Sequence, residues 1–345
     1  MVGLYRRAIN DRPYDIIDTL FDKRQFVIFL EVTVMRYYFA PMEGLTDSIY
    51  RSVHHKYFGG VDRYYMPFLS PTIHRTLTHR EDRELPPADS VDFAAVPQVL
   101  TKVAEDFLWA AQVCADRGYD EVNLNVGCPS GTVVSKGKGS GMLRDIEALD
   151  AFLEAVFAAS PLPVSVKTRL GMENPEEFFR ILAVYNRYPI KELTVHPRVR
   201  KQFYDGTVDM EMFRYAFENS QNPLCYNGDI TCLAGVDALR AAYPELEAVM
   251  LGRGLVADPG MLCGGTEREA LRSFMEELLE RYLEAFGGSR NAMFRLKENW
   301  HMLIGRFEGS EKLWKRLRKT TDLGEYKTIT GEIFATLPLL GENCK

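Results

Sequence analysis

The stretch EVNLNVGC, residues 121–128, decides how the rest of the chain is read. Val122, Leu124 and Val126 alternate with Asn123 and Asn125, and the run then stops at Gly127, Cys128 and Pro129. Alternation with a period of two marks a strand. Seven comparable runs flank it. YYFAPM (37–42), VDRYYMPF (61–68) and AAVPQVL (94–100) precede it, and PVSVKTRL (163–170), ELTVHP (192–197), PLCYNGD (223–229) and AVMLGRG (248–254) follow. Stretches with helical spacing lie between most of them, at Val103–Arg117, Ile146–Ala159, Glu176–Asn186 and Cys232–Ala242. Strands alternating with helices imply parallel pairing. Eight such units over about 220 residues predict an α/β fold, a (β/α)8 TIM barrel. A doubly wound open sheet is the alternative, but APMEG after the first strand is not its glycine-rich fingerprint.

The pattern changes after GRGLVADPG. From about Thr266 the chain reads as helices only, and it divides into residues 35–265, the barrel, and residues 266–345, a C-terminal all-helical domain. Residues 1–34 are expected to be an upstream extension, since clear patterning starts only at Met35 before RYYFAPMEG. The apolar run FVIFLEVTVM (26–35) is too short for a membrane helix and carries Glu31. No convincing signal peptide is present, and a cytoplasmic protein is expected. The composition, 46% hydrophobic and 26% charged in 345 residues, is ordinary for a soluble globular protein. Six scattered cysteines with no CxxC pair argue against a disulfide framework, a zinc knuckle or an iron–sulfur cluster, so no metal is expected.

A net charge of −6 gives no hint of nucleic acid, but charge is segregated. Arg290, Arg295, Lys297, Arg306, Lys312, Lys315, Arg316, Arg318 and Lys319 face only Glu298, Glu308 and Glu311 between residues 290 and 319, a local excess of six positive charges. A solvated helix face accounts for such a run as readily as an RNA-contacting one.

Barrel sites lie at the C-terminal ends of the strands. Those ends carry Pro41-Met42, Pro67-Phe68, Gln98, Asn125 with Cys128, Lys167 with Arg169, His196, Asn227-Gly228-Asp229 and Gly252-Arg253. YNGD and LGRG, in order on the last two strands, expose backbone N–H groups beside an arginine and suit a phosphate. Lys167 alternates with the apolar face of its strand, which points it to the barrel mouth, where a cation neutralises an anionic ring or forms a Schiff base.

Together APMEGLTD, NLNVGCPS, KGKGSGMLRD, SVKTRLG, LTVHPR, YNGDI and LGRG resemble the tRNA-dihydrouridine synthase family, in order, from about Met35 to the end. The resemblance implies an oxidoreductase that reduces the C5=C6 bond of tRNA uridines, with tightly bound FMN as cofactor and NADPH as reductant. Pro41, Met42 and Glu43 would line the isoalloxazine. Gln98 and Lys167 would address its pyrimidine edge, and His196 its ring and ribityl chain. Asn227, Gly228, Asp229, Gly252 and Arg253 would hold the phosphate. Asn125 and Arg169 would meet the target uracil, and Lys136 and Lys138 lie in a loop, VSKGKGSG (134–141), expected to close over the nucleotide. Cys128 would be the catalytic acid, since a free thiol with a pKa of about 8.5 is mostly protonated at neutral pH. The C-terminal helices would bind tRNA, and a monomer without membrane association is expected. Three rivals remain: an FMN barrel reducing a free pyrimidine or enone, a Schiff-base enzyme using Lys167, and an RNA-binding protein with a passenger flavin.

Overall fold

The computed structural model describes residues 35–341. The expectation for residues 1–34 lies outside the described residues. Nine strands in chain order are β1 (Arg36–Phe39), β2 (Arg63–Tyr65), β3 (Ala95–Val96), β4 (Gln98–Val99), β5 (Val122–Val126), β6 (Val164–Arg169), β7 (Leu193–His196), β8 (Leu224–Asn227) and β9 (Ala248–Leu251). All pairings among them are parallel, in the order β3-β2-β1-β9-β8-β7-β6-β5-β4. The two ends of that order are adjacent in sequence, separated only by Pro97.

β3 and β4 are therefore the two halves of the third expected strand. A proline has no N–H to give a ladder, and the strand breaks there. The half before Pro97 pairs with β2, and the half after it pairs with β5. The Pro97 carbonyl accepts from Asn123 N at 2.8 Å, and Leu69 bridges to Val99 across the seam. The sheet thus closes into the eight-position barrel.

The intervening helices are α1 (Ser48–Tyr57), α2 (His79–Glu84), α3 (Ala104–Asp116), α4 (Gly131–Val134), α5 (Ile146–Ala159), α6 (Glu177–Tyr185), α7 (Met210–Asn219), α8 (Leu233–Ala242) and α9 (Arg253–Ala257). Their buried residues follow the apolar stripe: α3 buries Phe107, Ala110, Ala111 and Cys114, spaced three, one and three apart. Asp145 and Asp209 cap α5 and α7 by accepting from Ala148 N and Met212 N.

Four helices follow: α10 (Arg268–Phe286), α11 (Ser289–Leu303), α12 (Glu311–Leu317) and α13 (Leu323–Thr336). They share a core with the barrel. Phe274 of α10 packs edge-on against Tyr50 and Phe58 of the α1 region, at 5.4 and 5.3 Å between ring centres. Trp300 of α11 is fully buried and donates to Tyr326 Oη of α13 at 2.9 Å. Among the described residues no helix is long and apolar enough to cross a membrane, and no cluster of metal-ligating side chains occurs. Among the described residues Cys114, Cys128, Cys225 and Cys263 are free.

Candidate active site

The C-terminal strand ends surround a cavity of about 630 Å³. Pro41, Met42, Glu43, Gln98, Asn125, Cys128, Lys167, Arg169, His196, Asn227, Gly228, Asp229, Gly252 and Arg253 all line it. Lys136 and Lys138, expected beside the nucleotide, do not. Lys136 is exposed, and Lys138 donates to Ser70 Oγ at 3.2 Å. The second half of their loop is buried, not open. Ser140 donates to the Cys128 carbonyl through both N and Oγ, at 3.1 and 2.9 Å. Gly139 sits at φ +56°, and a Cβ there would come within 2.9 Å of the same carbonyl. The glycine- and lysine-rich segment is thus a bracket beneath the cysteine, packed because only small residues let the backbones meet.

Cys128 is half-buried. Burial pushes its thiol pKa up, and the Ser130 N–H, Arg169 and Lys167 pull it back only in part. The group is a neutral thiol at physiological pH. Its own backbone N–H and that of Gly127 are held by Asn125 Oδ1, at 2.9 and 3.1 Å.

Lys167 donates to Asn227 Oδ1 at 2.6 Å. Burial, with Arg169 beside it, lowers its pKa from 10.5 to about 8. Arg169 is buried, donates from Nε to the Gly127 carbonyl at 2.9 Å, and is itself lowered to about 10 by burial. These two cations border one cavity, and among the described residues no carboxylate pairs directly with either. That arrangement is costly unless an electron-rich ligand fills the space.

His196 is buried and held well below its usual pKa, by burial first and then by Arg169 and Lys167. Arg198 Nη1 lies 3.2 Å from His196 Nε2. A guanidinium only donates, so Nε2 accepts and the ring proton sits on Nδ1. Arg198 also grips both oxygens of Asp229, with its bond to Oδ1 at 2.9 Å, and Arg253 donates to the same Oδ1 at 2.7 Å. Burial raises the Asp229 carboxyl, but the two arginines outweigh this and keep it ionised. Asp229 therefore orients Arg253 and does not itself meet an anion. Gly254 stands where a Cβ would lie 2.2 Å from the Ile230 carbonyl, so only glycine lets the last two strand ends approach.

The strand-end census missed three contributors. Arg198 is two residues past a strand end, and its complete burial has no sequence signal. Tyr204 is half exposed and lies over Arg169 and Arg253, 5.3 and 5.1 Å from their guanidinium carbons. Met302 reaches the cavity from α11, far along the chain. The basic run also divides. Arg306 is buried against Asp258, Arg295 pairs with Asp47 at 3.5 Å and donates to the Gly44 carbonyl, and Lys297 donates to the Thr320 carbonyl. Arg290, Lys312, Lys315, Arg316, Arg318 and Lys319 remain exposed.

The fold and site define a barrel enzyme whose cavity is built around a neutral thiol, a buried lysine–arginine pair and an arginine-flanked glycine rim. Residues 38–315 match the family described as dihydrouridine synthase (Dus), and the chain belongs to that family. A probable tRNA-dihydrouridine synthase of Rhizobium leguminosarum bv. phaseoli is 30% identical over 258 residues, 72% of this chain and 78% of the relative. tRNA-dihydrouridine synthase B of Proteus vulgaris is 30% identical over 225 residues, 64% of this chain and 67% of the relative. Among solved structures, a morphinone reductase is 13% identical with a TM-score of 0.47, covering 66% of this chain and 84% of that one.

Proposed function

We propose that this chain reduces the C5=C6 bond of uridines in tRNA to 5,6-dihydrouridine, with FMN as its tightly bound flavin and NADPH as the reductant. The observation that carries the reading is Cys128, a neutral thiol on the rim of a cavity that fits a flavin, in a chain of this family. Membership supports a flavin and a nicotinamide reductant in general. The residues support the phosphate-bearing form: Arg253 with the backbone of Gly228 and Gly252 for the phosphate, and Lys167 for the negative charge that a reduced ring carries near N1 and O2. Pro41, Met42 and Glu43 would bound the ring, Gln98 its pyrimidine edge, and His196 would offer a proton from Nδ1.

A bound flavin supplies a hydride to uracil C6. Cys128 Sγ–H gives its proton to C5, which completes the gain of two hydrogens, and the thiolate left behind is reprotonated from water. Arg169 and Asn125 orient the uracil by donating to its carbonyl oxygens. A uridine in folded RNA must first be turned out of its stack, which needs a grip on the surrounding backbone. The exposed cations of residues 312–319 suit that grip, and Lys136 is exposed as well. We read the protein as a cytoplasmic monomer, with residues 35–265 as the catalytic domain and 266–345 as the RNA-binding one.

Cys128→Ala should lower dihydrouridine formation by about 10²–10⁴-fold. Mass spectrometry of substrate tRNA reads this as loss of the two-hydrogen gain, while FMN stays bound. Undiminished product would overturn the assignment. Turnover of free uridine as fast as of unmodified tRNA would favour the free-pyrimidine reductase instead.

A further inference from the structure

A line of hydrogen bonds runs down the inside of the barrel from the reactive rim. Asn125 Nδ2 donates to Gln98 Oε1 at 2.7 Å, and Gln98 Nε2 donates to Asn123 Oδ1 at 2.7 Å. Asn123 Nδ2 then donates to Ser165 Oγ at 2.9 Å, and Ser165 Oγ donates to Glu121 Oε1 at 2.5 Å. Glu121 Oε2 accepts from Arg63 and Lys191, each at 2.8 Å. Gln98, Asn123 and Ser165 occupy one register row on β4, β5 and β6, so their side chains share the inner face. Asn125, Gln98, Asn123, Ser165 and Glu121 are all buried.

The direction of the line is determined at both ends. At the top, the backbone N–H groups of Gly127 and Cys128 only donate, so Asn125 Oδ1 must accept. At the bottom, a carboxylate only accepts, so Ser165 must donate. Each amide between them has one orientation that fits both constraints, and that orientation leaves a second proton on Gln98 Nε2 and on Asn125 Nδ2. Both residues line the cavity.

We propose that Glu121, at the far end of this line, is a positioning residue that fixes the Gln98 and Asn125 amides as hydrogen-bond donors to the cavity. The wall they form with Lys167 and Arg169 then offers donors only. It favours ligands presenting carbonyl oxygens there, such as the pyrimidine ring of a flavin and a uracil. This last step rests on the function proposed above, whereas the orientation of the line does not.

Glu121→Gln tests the idea by setting the ends against each other. Arg63 and Lys191 would attract the new amide oxygen and turn its NH2 toward Ser165, so the Ser165 hydroxyl loses its acceptor; turning it to donate to Asn123 instead reverses each link up to Asn125, where the Gly127 and Cys128 N–H groups oppose it. One buried bond must fail. Amide hydrogen exchange at Gly127 and Cys128 in the flavin-free protein should speed up roughly tenfold, as expected for one lost bond. Exchange in α13 should stay unchanged, which separates this from general loosening. Adding Ser165→Ala cuts the line and should return the Gly127 and Cys128 rates toward wild type. FMN affinity, read by quenching of flavin fluorescence, should fall in the single variant and recover in the double. If Glu121→Gln fails to fold, Glu121→Asp and Glu121→Asn give the same comparison at equal size, with only Asn expected to speed exchange. Equal exchange in carboxylate and amide variants, or no recovery in the double variant, overturns the proposal. Accelerated exchange in a protein that never binds FMN would instead uphold the line and overturn the flavin reading.

Discussion

Lys167 shows how one side chain carries both a cost and a use. Its amine, lowered to about 8, is charged below that pH and neutral above it. Between about pH 8 and its unfolded value near 10.5, the unfolded chain binds more protons than the folded one, so the flavin-free protein should gain stability as pH rises through that window. Lys167→Met should abolish the gain, as read by chemical denaturation at pH 7.5 and about pH 10. Affinity for reduced flavin should move the opposite way, falling as pH rises through about 8, because an anionic ring needs the protonated amine. At this scale the sequence was informative wherever a polar residue ended a strand, because the barrel forces every such end onto one rim. It was silent on Arg198 and Tyr204. Their roles come from burial and ring stacking, and neither leaves a periodic trace.

At the scale of elements, the strand count was readable but its interruption was not. AAVPQVL reads as one strand, and a proline in such a run admits either an edge strand or a break. The three-dimensional seam supplies the reason for a break, since each half serves a different neighbour. Net charge likewise misled for the C-terminal helices. Counting cations cannot distinguish Arg306, buried against Asp258, from Lys315, which faces solvent. The exposed subset gives a sharper prediction than the whole run. Replacing Lys312, Lys315 and Lys319 by Glu should weaken tRNA binding and make its log–log salt dependence shallower by about 2 to 3, the share of three phosphate contacts. FMN affinity should not change. An unaltered salt slope would remove this face from RNA binding.

At the scale of the whole molecule, the helical layer is joined to the barrel by buried polar contacts as well as by packing. Arg306 pairs with Asp258 just past α9, and Asp258 also accepts from Thr266 at the entry to the helices. Arg306→Ala would leave a buried carboxylate without its cation and should destabilise the protein by about 3–5 kcal/mol, measured by denaturant unfolding. Asp47 ties the other side: it caps α1, accepts from Tyr282 Oη at 2.9 Å and pairs with Arg295. The change from alternating strands to helices alone was plain in the sequence, whereas the links from the α1 region to Tyr282 and Arg295 join residues more than 200 positions apart and leave no local pattern.

Helix α11 belongs to both parts. Met302 near its C-terminal end paves the cavity, and Arg290 near its start is exposed. Twelve residues at a helical rise of 1.5 Å set these about 18 Å apart along one rigid rod. Under the proposed function, the helix is a ruler. An RNA backbone held at the Arg290 end would then lie a fixed distance from the cavity that receives the uridine.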